Sequence, residues 1–116
     1  MDYKLINPEY LESVTGGEIS IITELVDIFK EQVVEFYSEM KSLYSGQEYK
    51  QLGMLAHKAK SSVAIMGMDA LADVLNSLEK SAKEGQNIEI YESCIERFYT
   101  DAEVALLELD DYLNMN

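Results

Sequence analysis

His57 is the single histidine of this 116-residue chain, and it lies in the run LAHKAKSS at residues 55–62. Lys60 follows three residues later, which places it one turn away on the same side of a helix. An imidazole is largely neutral near pH 7 and can attack phosphorus through one ring nitrogen. The phosphoramidate product carries added negative charge, which the Lys60 ammonium and the Ser61 hydroxyl could stabilise. These residue types favour an imidazole that carries a phosphoryl group over an indifferent surface histidine and a solvated lysine.

Gly53 precedes His57 by one helical turn. On a helical wheel His57 lies nearly opposite the apolar face of its helix, and Gly53, Lys60, Ser61 and Ala64 are its outer neighbours. A glycine inside a helix costs about 1 kcal/mol relative to alanine. We therefore interpret Gly53 as leaving space for a partner beside His57; a tolerated surface glycine is the alternative.

Other kinds of chemistry lack the residues they need. The chain has no Gly-rich phosphate loop, no Cys/His cluster and no Glu-x-x-His pair. Cys94 and His57 fall on different predicted helices and make a poor zinc site, so Cys94 is expected to pack. A hydrolase would need an oxyanion hole and a cleft. Without a nucleotide-binding motif, the phosphoryl group must come from another protein.

The charge and composition of the chain disfavour some classes of partner and indicate the cellular compartment. Nine basic residues stand against 22 acidic ones, for a net charge of −13, which disfavours a nucleic-acid partner. One cysteine excludes an internal disulfide and fits a reducing compartment. No long apolar segment or leader is visible, so we expect a complete, soluble, cytoplasmic protein with no membrane partner.

Apolar residues at alternating spacings of three and four predict helices that would position His57. A short helix should run from Pro8 to about Thr15, with Asn7 as its cap. Long helices are predicted over residues 18–44, 47–66, 70–83 and 88–113, with Asp69 capping the third of these. The expected fold is all-α: an antiparallel up-down four-helix bundle with a short extra N-terminal helix, forming one domain over residues 1–116.

Four pieces of sequence carry a family resemblance: AHKAKSS at 56–62, MGM at 66–68, LA at 71–72 and LE at 78–79. Together they resemble the histidine-containing phosphotransfer (HPt) domain of two-component phosphorelays, and the resemblance extends over essentially the whole chain. Two departures are small. Ala59 replaces the usual leucine, and Met68 replaces a common alanine.

The resemblance implies a role for each residue of the motif. His57 corresponds to the phosphoacceptor, and Lys60 to the lysine that stabilises the phosphoryl group. Ser61 stands at a frequent glycine position and still permits close approach. Glu79 corresponds to a polar residue that hydrogen-bonds the inner ring nitrogen and orients the imidazole. A plain solvated glutamate is the alternative for Glu79.

By the same resemblance, the expected reaction is reversible phosphoryl transfer between His57 and an aspartate of a receiver domain. The chain would be a phosphocarrier rather than an enzyme, with no cofactor or metal of its own. The receiver would bring the Mg²⁺. A receiver domain, a sensor histidine kinase or both are the expected partners of a monomeric protein.

Docking of a receiver requires an accessible surface near His57. The candidate residues for this surface are Ile21, Leu25, Ile28, Gly53, Met54, Lys58, Ala64 and Ile65. The alternative for the first three is that the short leading helix covers them fully.

Two further hypotheses remain beside the phosphocarrier. The bundle could be a phosphorylation-silent binding module for a receiver or kinase. It could also be the phosphoacceptor domain of a chemotaxis-type kinase, which would normally be attached to kinase domains. The sequence identifies neither the cognate partners nor the direction of phosphate flow.

Overall fold

The computed structural model describes residues 3–115, and most of them are helical. The α-helices are α1 (Pro8–Thr15), α2 (Ile19–Ser45), α3 (Tyr49–Ile65), α4 (Asp69–Glu84) and α5 (Tyr91–Asn114), with a 3-10 turn at Ile88–Ile90 before α5. Residues 3–115 contain no strand, so the all-α prediction is confirmed. None of the helices in this range is both long and apolar enough to cross a membrane.

The four long helices each pack on two others. Helix α2 contacts α3 and α5, and α4 contacts the same two helices, while α1 lies against α2 and α3. One hydrophobic core runs between them, and α2 shows its pattern well: Ile22, Val26, Phe29, Val33, Met40 and Leu43 are buried. Ile19, the first residue of α2, continues the same spacing toward the N-terminus but is exposed.

The helix starts differ in how they are capped. The Asn7 side chain accepts a hydrogen bond from the Tyr10 backbone N–H at 3.2 Å, so this predicted cap is confirmed. The prediction that Asp69 caps α4 was wrong. Met68 occupies the cap position and is buried, so the chain enters the helix one residue earlier. Asp69 instead lies in the first turn of α4, where its negative charge interacts favourably with the helix dipole.

The turn between α3 and α4 is held against the N-terminal segment. Gly67 has a φ of +76°, and a Cβ there would lie 2.6 Å from the Asn7 Cβ. The Asn7 backbone N–H also donates to the Met66 carbonyl at 3.3 Å. Only glycine accommodates both this φ and this approach, so Gly67 ends α3 and α4 folds back along it.

Candidate functional site

His57 lies in the middle of α3, and its imidazole faces a carboxylate of α4. Its Nδ1 is 3.1 Å from both carboxylate oxygens of Glu79. The His57 side chain is 57% exposed, whereas that of Glu79 is only 12% exposed. One edge of the ring is therefore held by the bundle while much of the ring is accessible.

Glu79 is the centre of a charged network. The Lys60 Nζ donates to its Oε1 at 2.8 Å, and the Lys83 Nζ donates to its Oε2 at 2.9 Å. Burial alone would raise the pKa of Glu79, but hydrogen bonds from Lys60, Lys83 and His57 outweigh it and lower the pKa from 4.5 to about 2. The alternative that Glu79 is a solvated surface glutamate was therefore wrong.

The ionised Glu79 determines which nitrogen of His57 carries the proton. A carboxylate can only accept hydrogen bonds, so the neutral imidazole must donate from Nδ1. Its Nε2 then keeps the lone pair, on the side of the ring away from Glu79. The site can thus present a nucleophilic nitrogen to an approaching molecule.

Two other motif residues make local contacts. Lys60, whose side chain is 27% exposed, also donates to the Asn76 side chain at 3.2 Å, so its ammonium lies against α4. The Ser61 hydroxyl is exposed and donates to the His57 backbone carbonyl at 3.3 Å.

Sequence reasoning missed Lys83 and Asn76. Both lie on the Glu79 side of α4, four residues after it and three before it, so helical spacing could have indicated them. Their link to His57, however, depends on how α4 packs on α3.

Gly53 does not lie where the sequence analysis placed it. It is buried against α4, and a Cβ there would lie 2.8 Å from the Lys83 Cγ and 3.0 Å from the Glu79 carbonyl oxygen. The prediction that Gly53 leaves open space for a partner was wrong. The helical wheel failed because it identified the apolar face of α3 but not the second face that α4 covers.

The remaining candidate docking residues fall into two groups. Met54 and Lys58 are exposed and line a shallow cavity with Glu39 and Leu43, in the second half of α2. The other group lies in the first half of α2 and at the end of α3: Ile21, Leu25, Ile28, Ala64 and Ile65.

The second group is partly covered. Ile21, Ile28 and Ile65 are exposed, whereas Leu25 and Ala64 are half-buried. The alternative that the leading helix fully covers the α2 members was therefore wrong.

Two further observations concern possible metal ligands and the thiol of Cys94. No three His, Cys, Asp or Glu side chains between residues 3 and 115 are grouped as metal ligands would be. Cys94 is half-buried, and burial raises the pKa of its thiol, which lowers the thiolate fraction at neutral pH.

Comparison with known proteins gives one match. A family model described as the Hpt domain matches residues 24–114, a range that includes His57, Lys60, Glu79 and Lys83. No curated protein and no solved structure matches the chain. The matched range covers most of the sequence, so the chain belongs to the Hpt domain family, whose members carry phosphoryl groups on histidine in phosphorelays and interact with receiver domains and kinases.

Proposed function

We propose that this chain is a phosphocarrier that accepts a phosphoryl group on Nε2 of His57. The donor is a receiver-domain aspartyl phosphate or a histidine kinase, and the acceptor is the aspartate of another receiver. The observation that supports this most directly is the ionised Glu79 carboxylate 3.1 Å from Nδ1, which keeps the proton on that nitrogen and the lone pair on Nε2.

Phosphoryl transfer follows from this arrangement. The Nε2 lone pair forms a bond to phosphorus, the bond from phosphorus to the donor aspartate oxygen breaks, and that aspartate leaves as a carboxylate. The imidazole, with a proton on Nδ1 and phosphorus on Nε2, becomes cationic. Glu79 stabilises this cation, as a buried carboxylate does for an imidazolium. The receiver supplies the Mg²⁺, and its aspartate can take the group back by the reverse path.

We propose that Lys60 binds Glu79 when His57 is unmodified and binds the phosphoryl group when His57 is phosphorylated. Its Nζ is bonded to Glu79 here, but its side chain is flexible and partly exposed, so it can swing toward added negative charge on His57. Lys83 stays on the other carboxylate oxygen and keeps Glu79 paired while Lys60 moves. We propose that the exposed Ser61 hydroxyl, which here donates to the His57 carbonyl, can rotate to donate to the phosphoryl group, and that the small side chain permits close approach.

The docking surface is proposed to surround His57 on α2 and α3. The lysines of α3, Lys50, Lys58 and Lys60, are accompanied by no acidic residue on that helix, although the chain as a whole carries a net charge of −13. This local positive charge would attract a partner whose surface is acidic. The exposed apolar side chains of Met54 and Ile65 could contact apolar residues of the same partner.

The proposal also includes the arrangement of the helices, the oligomeric state and the location of the protein. Each of α2, α3 and α4 contacts the next long helix along the chain, and α5 contacts α2. These contacts support the antiparallel up-down four-helix bundle. We propose a single-domain, monomeric protein that works in the cytoplasm and needs no cofactor of its own.

The direct test uses a phosphorylated receiver domain, Mg²⁺ and this chain. Acid-labile, alkali-stable label should appear on the wild type and be absent from His57→Gln, while Ser62→Ala, changed on the same helix, should be labelled normally. Label that persists in His57→Gln would exclude His57 as the acceptor. Receiver binding without label on the wild type would instead favour the silent binding module.

A further inference from the structure

Gly53 lies where α3 packs closely on α4. A Cβ at Gly53 would lie 3.0 Å from two backbone atoms of α4, the Glu79 carbonyl oxygen and the Lys83 nitrogen, and 2.8 Å from the Lys83 Cγ. Side-chain atoms can rotate away from such a contact, but backbone atoms move only if the helix moves. The missing Cβ therefore sets how near α4 can come to α3 at this turn.

The backbone of Gly53 does not itself require glycine. Its φ lies outside the left-handed range in which glycine is favoured, unlike those of Gly16, Gly67 and Gly85. Glycine also weakens a helix interior relative to alanine. Close helix packing is thus the physical reason for glycine that the structure offers.

The two α4 residues that touch Gly53 are the two that organise the site. Glu79 holds the Nδ1 of His57, and Lys83 holds Glu79. Gly53 precedes His57 by four residues and lies one turn below it on α3. The distance of 3.1 Å between the His57 Nδ1 and the Glu79 carboxylate can increase only slightly before the hydrogen bond is lost, because an N–H···O contact longer than about 3.5 Å is no longer a hydrogen bond.

We propose that Gly53 is a positioning residue for His57: it lets α4 approach closely enough for Glu79 to bond Nδ1 and leave Nε2 unprotonated. The inference about the tautomer stands on the helix packing and on the contact of His57 with Glu79, and its consequence for transfer rests on the proposed phosphocarrier function. Gly53 acts through Glu79 and contacts no substrate.

The test compares Gly53→Ala with wild type by the ¹⁵N chemical shifts of the imidazole, which report the protonated nitrogen. Wild type should show Nδ1–H, and Gly53→Ala should shift toward Nε2–H. Phosphoryl transfer to His57 should fall about 10- to 100-fold, as expected for a small misplacement near a reacting group. Gly46→Ala is the matched control, since its Cβ would meet nothing nearer than 3.4 Å, and it should change neither quantity.

A double substitution separates positioning from a direct partner contact. In a Glu79→Ala background, Gly53→Ala should have little further effect on transfer, because the contact it disturbs is already absent. An equal loss with and without Glu79 would overturn the proposal, and so would an unchanged tautomer in Gly53→Ala. The tautomer readout needs no phosphate, so it remains decisive even if the wild type accepts none.

Should Gly53→Ala fail to fold, the comparison moves to a Lys83→Ala background. That substitution removes the Cγ that lies nearest to the added Cβ and leaves only the two contacts at 3.0 Å, which need shifts of a few tenths of an ångström. The double variant should again move toward Nε2–H relative to Lys83→Ala alone. Identical shifts in these two proteins would overturn the proposal.

Discussion

The Nδ1 of His57 on α3 lies 3.1 Å from both carboxylate oxygens of Glu79 on α4, and each oxygen also accepts a bond from a different lysine. The carboxylate thus has three donors around it: one imidazole and two ammonium groups. This arrangement connects the protonation of the exposed ring to charges within the bundle.

Replacing Glu79 by glutamine should change how stability depends on pH. The pKa of Glu79 is depressed in the folded state, to about 2 from 4.5, so its stabilisation is present above about pH 4.5 and is lost as pH falls toward 2. The shift corresponds to about 3 kcal/mol, which we reduce to about 2 kcal/mol because Lys60 and Lys83 are partly exposed and screened.

Urea unfolding of wild type and Glu79→Gln at pH 7 and at pH 2 measures this effect. The variant should be less stable by about 2 kcal/mol at pH 7, and the difference should shrink toward zero at pH 2. A difference of the same size at both pH values would mean that the charge of Glu79 is not what stabilises the fold.

Lys60 and Lys83 both bind Glu79, but we expect only Lys60 to stabilise the phosphoryl group on His57. Lys60→Ala should slow phosphoryl transfer and shorten the lifetime of the phosphorylated His57 by about 10-fold. This is less than the 10²–10³ typical of an enclosed oxyanion donor, because the lysine side chain is 27% exposed.

Lys83→Ala is the matched comparison for Lys60→Ala. It removes an i,i+4 ion pair whose lysine is 45% exposed and leaves Glu79 bonded to Lys60 and His57, so we expect a loss of about 0.5 kcal/mol and a change in rates of about twofold. Phosphohistidine decay followed by ³¹P NMR gives both lifetimes. Equal lifetimes in the two variants would contradict a specific role for Lys60.

Gly67→Ala should destabilise the fold more than Gly16→Ala. Both glycines have a left-handed φ, +76° and +72°, so alanine is strained at either by about 1 kcal/mol. At Gly67 the added Cβ also meets Asn7 at 2.6 Å, whereas at Gly16 nothing lies within 4 Å. We expect a loss of about 3 kcal/mol for Gly67→Ala and about 1 kcal/mol for Gly16→Ala.

Thermal or urea unfolding of the two glycine variants checks this difference. The Asn7 N–H bond to the Met66 carbonyl should open with the Gly67 substitution, which faster hydrogen exchange at Asn7 would reveal. Equal losses at Gly16 and Gly67 would show that the N-terminal segment does not hold the α3–α4 turn.

Met54→Ser should weaken receiver binding without affecting the fold. Met54 is 56% exposed and lies three residues before His57, so we expect about a 5- to 10-fold loss of affinity and a stability change within about 0.5 kcal/mol. Leu107→Ser is the control: this side chain is 70% exposed on α5, which packs mainly on α2 and α4.

Titration calorimetry with the receiver domain compares the two surface variants. Leu107→Ser should bind as the wild type does. If both variants lose affinity equally, the partner does not dock on the α3 side of the bundle.

The sequence by itself determined the helices and the chemistry of the motif. Apolar residues spaced three and four apart predict an amphipathic helix, so the helix bounds were predicted to within two or three residues. The cap at Asn7 was predicted because an asparagine side chain can accept a hydrogen bond from the first turn of the helix that follows it. His57 and Lys60 were found in the same way, because residues three apart share a helix face whatever packs around them.

Only the tertiary structure decided what lies opposite each face. Glu79 is remote from His57 along the chain and meets it because α3 and α4 pack with no Cβ at Gly53 between them, and Lys83 binds Glu79 in turn. A wheel drawn for one helix contains no information on its neighbours, so it placed Gly53 on an open surface. The contact of α3 with α4 instead buries Gly53, ionises Glu79 and thereby selects the tautomer of His57.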